Sequence, residues 1–419
     1  MSRRKITGKI YYRITFRLAS ALSVGSGEER YSDNDIVRDA AGAPFIPGSS
    51  LAGIYRSLPG MEEAQEYLGG IRNGECGASS KVLVYDAKIR DADSKFPYRS
   101  VVRDCVSLDE WKTGTNGNKF TFETVEPGAQ FVTYLEQNYV EGDRDICEEL
   151  AAAWMNHRIR IGCKTMRGLG SIGETSVCRR SFALEDKEGL DAWLDFDMYR
   201  EEDWRGTELA AWDAEWKDVS KTIVLEMDLR QRSGISIKRY TTAVSTEKIQ
   251  PDAEQITCII AEDGREMPYI PGTSWAGAFR HHMERLIPGC TEKLFGSFER
   301  RSLVRFAESL IEGARPKTLL SHAVDRFTGG VVDHALFTEK IWYGGQTKLC
   351  IEIPAETSDD FKQALSAALT DLHMGCLPIG GRTAIGRGLF EGVSLRINGE
   401  EVAVGERMYG EILQRLKGR

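Results

Sequence analysis

No stretch of this 419-residue sequence is apolar for long enough to cross a bilayer. The start, Met1-Ser2-Arg3-Arg4-Lys5, leads at once into alternating polar and apolar residues, so neither a signal peptide nor membrane contact is expected and the compartment is read as cytoplasmic. The nine cysteines are odd in number and include no CxxC pair, which excludes the usual zinc and dithiol spacings. There is no GxxxxGK[ST] phosphate loop, and of the six histidines the first is His157. Composition closes off other classes. With 41% hydrophobic and 28% charged residues, the chain is neither disordered nor a dominant coiled coil.

What is present is a soluble-type chain of two or three cores, with its charge unevenly placed. The net charge is −8, but residues 185–218 alone hold 13 acids against 4 bases, so the remainder is close to neutral. Local basic patches are therefore compatible with an acidic total.

The chain is internally duplicated with a period near 220. Ile46-Pro47-Gly48-Ser49-Ser50-Leu51-Ala52-Gly53 returns as Ile270-Pro271-Gly272-Thr273-Ser274-Trp275-Ala276-Gly277, 224 positions later. Phe120-Thr121 returns as Phe337-Thr338 after 217, and the loop Ile161–Gly170 returns as Ile379–Gly388 after 218. Each half opens with a half-buried strand pattern: Ile10, Tyr12, Ile14, Phe16 and Leu18 in one, Ile223, Leu225, Met227 and Leu229 in the other. Ser49 and Thr273 are read as N-caps of the helices that follow, and as residues within reach of a bound RNA. Further strands are expected at 81–85, 130–135 and 171–178, and at 302–306, 347–353 and 389–397, with helices at 145–155 and 359–373. The order β-α-β-β-α-β predicts an α+β fold of two tandem ferredoxin-like domains, 1–180 and 222–419. The acidic stretch 181–221, with Trp193, Trp204, Trp212 and Trp216, is a connector with some helical packing.

Gly168-Leu169-Gly170-Ser171-Ile172-Gly173 matches GxGxxG only formally, because it follows a helix and precedes a strand. A tight turn is one reading of this loop. The other is a phosphate contact, since Gly168 and Gly170, like Gly386 and Gly388, allow close backbone approach beside Lys164 and Arg167, or Arg382 and Arg387. Arg56 and Arg280 recur two turns into their helices, near an N-terminus that itself favours anions, although a solvated arginine is the plain alternative.

These segments resemble the RAMP superfamily (repeat-associated mysterious proteins): "IPGSSLAGIYR" and "IPGTSWAGAFR" look like the segment after its first strand, and "RGLG" and "IGRG" like its glycine-rich loop. Ser321–Gly330 running on to Phe337, with His322 and Arg326, further resembles the central region of backbone subunits of type III CRISPR effector complexes. The resemblance implies two fused RRM-like domains with inserted hairpins. Their partners would be a CRISPR guide RNA, a target single-stranded RNA and other effector subunits. It also implies a loop aspartate, followed by Asn, that serves target-RNA cleavage. Asp33 matches best, with Asp35 its neighbour, and Asp252 is the counterpart in the second half.

On this reading the chain is an RNA endonuclease in which the target's 2′-hydroxyl attacks and Mg²⁺ assists near the loop acids. No metal site made by protein groups alone is expected. His281, His282 and His322 are read first as RNA contacts or packing groups. Two alternatives stay open. One is a structural backbone subunit without cleavage in one or both halves; the other is a guide-processing ribonuclease of the same superfamily, for which an early histidine is missing. A loop acid can also be an ordinary solvated carboxylate or an Asx-turn.

Overall fold

The computed structural model describes residues 5–59, 64–69, 79–90, 98–108, 114–209, 221–238, 253–297 and 300–418. Asp252, Trp212 and Trp216 lie outside the described residues. Strand β1 (Gly8–Leu18) sends Ile10, Tyr12, Ile14, Phe16 and Leu18 into the core, as the period of two requires. After it come α1 (Gly48–Ser57), β2 (Val82–Val84), a hairpin of β3 (Ser100–Leu108) and β4 (Gly114–Val125), then β5 (Gln130–Tyr139), α2 (Ile146–Met155) and β6 (Ile172–Ala183). β1 lies between β5 and β6, and β2 pairs with β5, all antiparallel.

Beyond the connector helix α3 (Lys187–Asp195), the second half repeats this plan. It runs β7 (Thr222–Gln231), α4 (Gly272–Leu286), β8 (Arg305–Phe306), a hairpin of β9 (Arg315–Val324) and β10 (Val331–Tyr343), β11 (Gln346–Pro354), α5 (Asp359–Met374) and β12 (Phe390–Ile397). β7 is flanked by β11 and β12, and β8 pairs with β11. The two halves are thus tandem ferredoxin-like α+β domains, each with a hairpin inserted between its second and third sheet strands.

In the first core Trp154 and Tyr55 are both fully buried, and each solves the other's polar problem: the indole N–H donates to the Tyr55 hydroxyl at 2.9 Å. The Phe16 ring lies 4.5 Å from that indole. Trp275, Phe279, Phe306, Phe361 and Phe390 fill the second core. Helix α2 starts on Asp145, which accepts from the Glu148 amide, and α5 ends at Gly375, whose φ of 79° suits glycine.

The expected caps of α1 and α4 are corrected. Pro47 and Pro271 occupy the cap positions, so Ser49 and Thr273 stand exposed inside the first turn and their side chains cap nothing. The Gly48 amide instead donates to Asp86 Oδ1 at 2.7 Å. A carboxylate already fills the anion-favouring end of α1.

The connector folds back over the outer face of the first sheet. Trp193 donates to the Tyr11 hydroxyl at 3.0 Å, Phe196 packs 5.0 Å from the Tyr11 ring, and Trp204 is buried. Glu201 takes Arg90 at 2.7 Å and Arg13 at 3.4 Å. Part of the connector's acidity therefore neutralises arginines of the sheet it covers.

The two halves meet through a charged joint. Arg103 of the first hairpin, its side chain largely sealed from solvent, donates to Glu308 at 2.6 Å and to Glu126 at 3.2 Å and lies 4.6 Å over the Tyr269 ring. Arg305 donates to the Thr165 carbonyl at 3.0 Å, to Ser171 Oγ at 2.6 Å and to Glu352 at 2.7 Å, and Glu352 also receives Arg160 at 3.1 Å.

Candidate nucleic-acid interface and loop acid

The two glycine loops share one backbone. Lys164 (φ 57°, ψ 25°) and Arg382 (φ 54°, ψ 31°) both take the left-handed conformation ahead of a single 3₁₀ turn, which ends at left-handed Gly168 or Gly386. A Cβ on Gly170 would run into the Ile161 carbonyl, and one on Gly388 into the Ile379 carbonyl. That explains why glycine recurs at both positions. Left-handed non-glycine residues are costly and persist only where the surroundings hold them.

What holds them is the inserted hairpin. The Lys164 ammonium lies 4.3 Å over the Phe122 ring and 5.5 Å over the Phe120 ring. In the second half the Arg382 guanidinium lies 3.8 Å over Phe337. Cations over aromatic faces gain electrostatically while the outer side of the charge stays open to a ligand.

The surroundings of the loops then differ. Gly168 is buried against Phe306, Ala307 and Glu308 of the second half, whereas nothing approaches the same position at exposed Gly386. Arg167 is exposed. Arg387 is tied down: it donates to the Tyr343 hydroxyl at 2.9 Å and to Glu339 at 3.3 Å. Glu339 also faces Arg382 at 3.6 Å. Lys164 and Arg167 are therefore the freer cations, and Arg387 would have to leave a carboxylate to reach a phosphate. Arg56 donates to the Leu68 and Gly69 carbonyls, while Arg280, His322 and Arg326 are exposed.

Asp33 is exposed on the loop between β1 and α1 and docks on β4. Its Oδ2 accepts from the Thr121 amide at 2.6 Å and from the Thr121 hydroxyl at 3.0 Å, and its own amide donates back to Thr121 Oγ1 at 3.0 Å. The Thr121 amide, and then its hydroxyl, hold the carboxyl below the usual carboxylate range. Alternation along β4 turns Thr121 to the face opposite Phe120 and Phe122, so one strand carries the acid on one side and the loop cation on the other.

Asp35 has a different job. It is buried and accepts from the Ser32 hydroxyl at 2.7 Å and from the Arg30, Tyr31 and Ser32 amides, which pull its carboxyl down as well. This is the local turn that shapes the loop, and no lone pair is left for an outside partner. Asp35→Ala is expected to lower the melting temperature, while Asp33→Ala leaves it unchanged; differential scanning calorimetry of the two variants checks this, and equal melting temperatures would contradict the division of labour.

No group of three or more His, Cys, Asp or Glu side chains able to hold a metal occurs among the described residues. Asp33 nevertheless fits Mg²⁺, which commonly binds one or two carboxylates together with waters and a substrate phosphate. Its Oδ1 accepts no hydrogen bond among the described residues. No helix of the described residues is long and apolar enough to cross a membrane.

The sequence had marked the Phe-Thr repeat as a landmark without a task; the structure shows one, as a platform for the loop cation and a grip on the loop acid. Asp86 and the Arg103 joint carried no signal in sequence, because their partners lie far along the chain.

The model of the RAMP superfamily matches residues 15–172 and 251–391. No curated protein matches the chain. Among solved structures, a chain of a type III-B Cmr-beta complex bound to cognate target RNA, determined by cryo-electron microscopy, is similar at 17% identity and a TM-score of 0.31. The match covers 42% of this chain and 61% of that one, less than two thirds of its length.

Proposed function

The chain belongs to the RAMP superfamily, and from that premise we propose that it is an RNA-binding backbone subunit of a type III CRISPR effector complex, which carries guide RNA and cuts paired target RNA. Residues 1–180 and 222–419 are taken as its two RAMP units, with β6 running on to Ala183 before the connector begins. The observation that carries the reading is the hairpin strand β4, with Asp33 gripped on one face and Lys164 stacked on the other. A cation for a phosphate backbone and an acid for a scissile phosphate are then presented on opposite sides of one rigid element.

In the proposed reaction the 2′-oxygen of the target bonds to the adjacent phosphorus as the P–O5′ bond breaks. The 2′-hydroxyl proton leaves to solvent, the 5′-oxygen gains one, and the products are a 2′,3′-cyclic phosphate and a 5′-hydroxyl. RNA supplies its own nucleophile, so the protein's work is geometry and charge. Asp33, held ionised by Thr121, is a poor proton acceptor at neutral pH. Its part is to orient the 2′-hydroxyl and to offer Oδ1 to Mg²⁺. When bound, the ion supplies positive charge beside the phosphate. Asp252 is proposed for the same part in the second half.

Binding is tested by salt dependence. Lys164→Ala with Arg167→Ala is expected to weaken RNA binding for every sequence and to flatten the slope of log K against log salt by about 1.4, since each lost phosphate contact on a single strand is worth about 0.7. Filter binding across a salt series measures it. An unchanged slope would place the phosphate contacts elsewhere.

A further inference from the structure

The loop that holds Asp33 is long and exposed, yet its acid is not free to wander. The Asp35 turn shapes the loop from within, and the chain then lies along β4, where the Glu123 amide donates to the Asn34 carbonyl at 3.0 Å and the Ile36 amide to Glu123 Oε2 at 3.2 Å. Between those backbone ties and the free carboxylate stands one side chain, Thr121. Its hydroxyl accepts from the Asp33 amide and donates to Oδ2, and its amide donates to the same oxygen. Three hydrogen bonds converge on one residue, which fixes the carboxylate rotamer and leaves Oδ1 without a hydrogen bond among the described residues.

Two further facts argue that this grip is more than loop packing. First, Thr121 is flanked by Phe120 and Phe122, the rings that carry Lys164, so acid and cation are set by consecutive residues of one strand. Any displacement of the hairpin moves both together. Second, the Phe-Thr pair is one of the landmarks that recur in the second half, where Phe337 carries Arg382 and Thr338 follows it on β10, turned to the opposite face from Phe337 and Glu339. A threonine needed only for strand propensity has no reason to recur directly after the cation-bearing aromatic.

We propose that Thr121 is the positioning residue for Asp33: it sets the direction of the free carboxylate oxygen, and with it the rate of the Asp33-dependent cut. The assignment rests on the reading of Asp33 as the cleavage acid. In this assignment Thr121 acts through the aspartate it holds. Misplacement of a reacting group by about 1 Å costs about a hundredfold in rate, so loss of the grip should register in turnover and not in target affinity.

The test compares Thr121→Val, Thr121→Ser and Asp33→Ala in the assembled complex on a guide-matched target RNA with Mg²⁺. Valine keeps the branched shape and the backbone amide but removes both hydroxyl bonds; serine keeps the hydroxyl. Thr121→Val is expected to slow the Asp33-dependent cut by about tenfold or more at saturating target, with target affinity unchanged, and Thr121→Ser is expected to restore most of the rate. Melting temperatures of all three variants exclude simple unfolding. A Thr121→Val complex that cuts at the wild-type rate while Asp33→Ala does not cut would overturn the positioning role and leave the aspartate in place. A Thr121→Val loss that serine does not repair would overturn it too. An unchanged cut in Asp33→Ala would instead remove the reading on which the assignment rests.

Discussion

Asp33→Ala is expected to abolish one cut in a guide-matched target RNA, lowering its rate by about 10² to 10⁴-fold, while target binding stays intact or tightens slightly. The separation follows from placement. Asp33 is exposed and, among the described residues, hydrogen-bonds to β4 through Thr121, whereas the cations proposed to face a phosphate backbone, Lys164 and Arg167, sit on the other side of the strand. Removing a carboxylate near phosphates relieves repulsion and takes no positive charge away. The fold should not notice, because the buried carboxylate of the loop is Asp35. Gel mapping of end-labelled target checks the cut and filter binding checks the affinity. Adding Asp252→Ala is expected to remove a second cut at a different place, leaving a complex that holds its target unbroken.

Arg103→Ala is expected to be among the most destabilising single changes in the chain. The guanidinium is buried between Glu126 and Glu308, which are themselves nearly sealed from solvent. Burial pushes the Glu126 carboxyl up, and the Arg103 charge is what opposes that shift. Removing one partner of a buried ion pair costs about 3–5 kcal/mol, because the charges left behind have neither water nor a counter-ion. Tyr269 would lose the cation over its ring as well. Guanidinium unfolding should show an unfolding free energy lower by about that amount, read as a lowered midpoint. Replacing Arg103 by Met together with Glu126→Leu and Glu308→Leu should recover much of it, since an apolar core of similar volume carries no orphaned charge. A wild-type midpoint for Arg103→Ala would mean that the joint between the halves does not depend on this cluster.

The fold was largely legible in the sequence, for identifiable reasons. The alternation of Ile10 to Leu18 and of Ile223 to Leu229 marks strands with one buried face, and both landed there. The helices read at 145–155 and 359–373 form there, and Asp145 and Ser358 at their starts each accept an amide of the first turn. Ser49 and Thr273 misled because the same preference for a small polar residue near a helix start holds inside the first turn; the preceding proline already occupied the cap, and Asp86, 38 positions on, took the Gly48 amide. Of the site, the glycine loops were legible from the internal repeat, whereas Asp33 was singled out only by the family resemblance. The environments of the loops were not legible: Gly168 and Gly386 read alike in sequence, yet one is pressed against Glu308 and the other is open. The ion pair of Arg387 with Glu339 and the bond from Thr121 to Asp33 are likewise contacts between distant segments, which periodicity does not encode.

The chemistry of the cut carries the proposed function most directly. A series of guide-matched targets, each RNA except for one 2′-deoxynucleotide stepped across the mapped cleavage positions, should be incubated with the complex and Mg²⁺ and resolved on a sequencing gel. A deoxynucleotide on the 5′ side of a scissile phosphate is expected to block that cut alone, leaving any other cut and the binding of target unchanged. Cleavage that proceeds at the deoxynucleotide would contradict it, because the nucleophile would then not be the target's own 2′-hydroxyl.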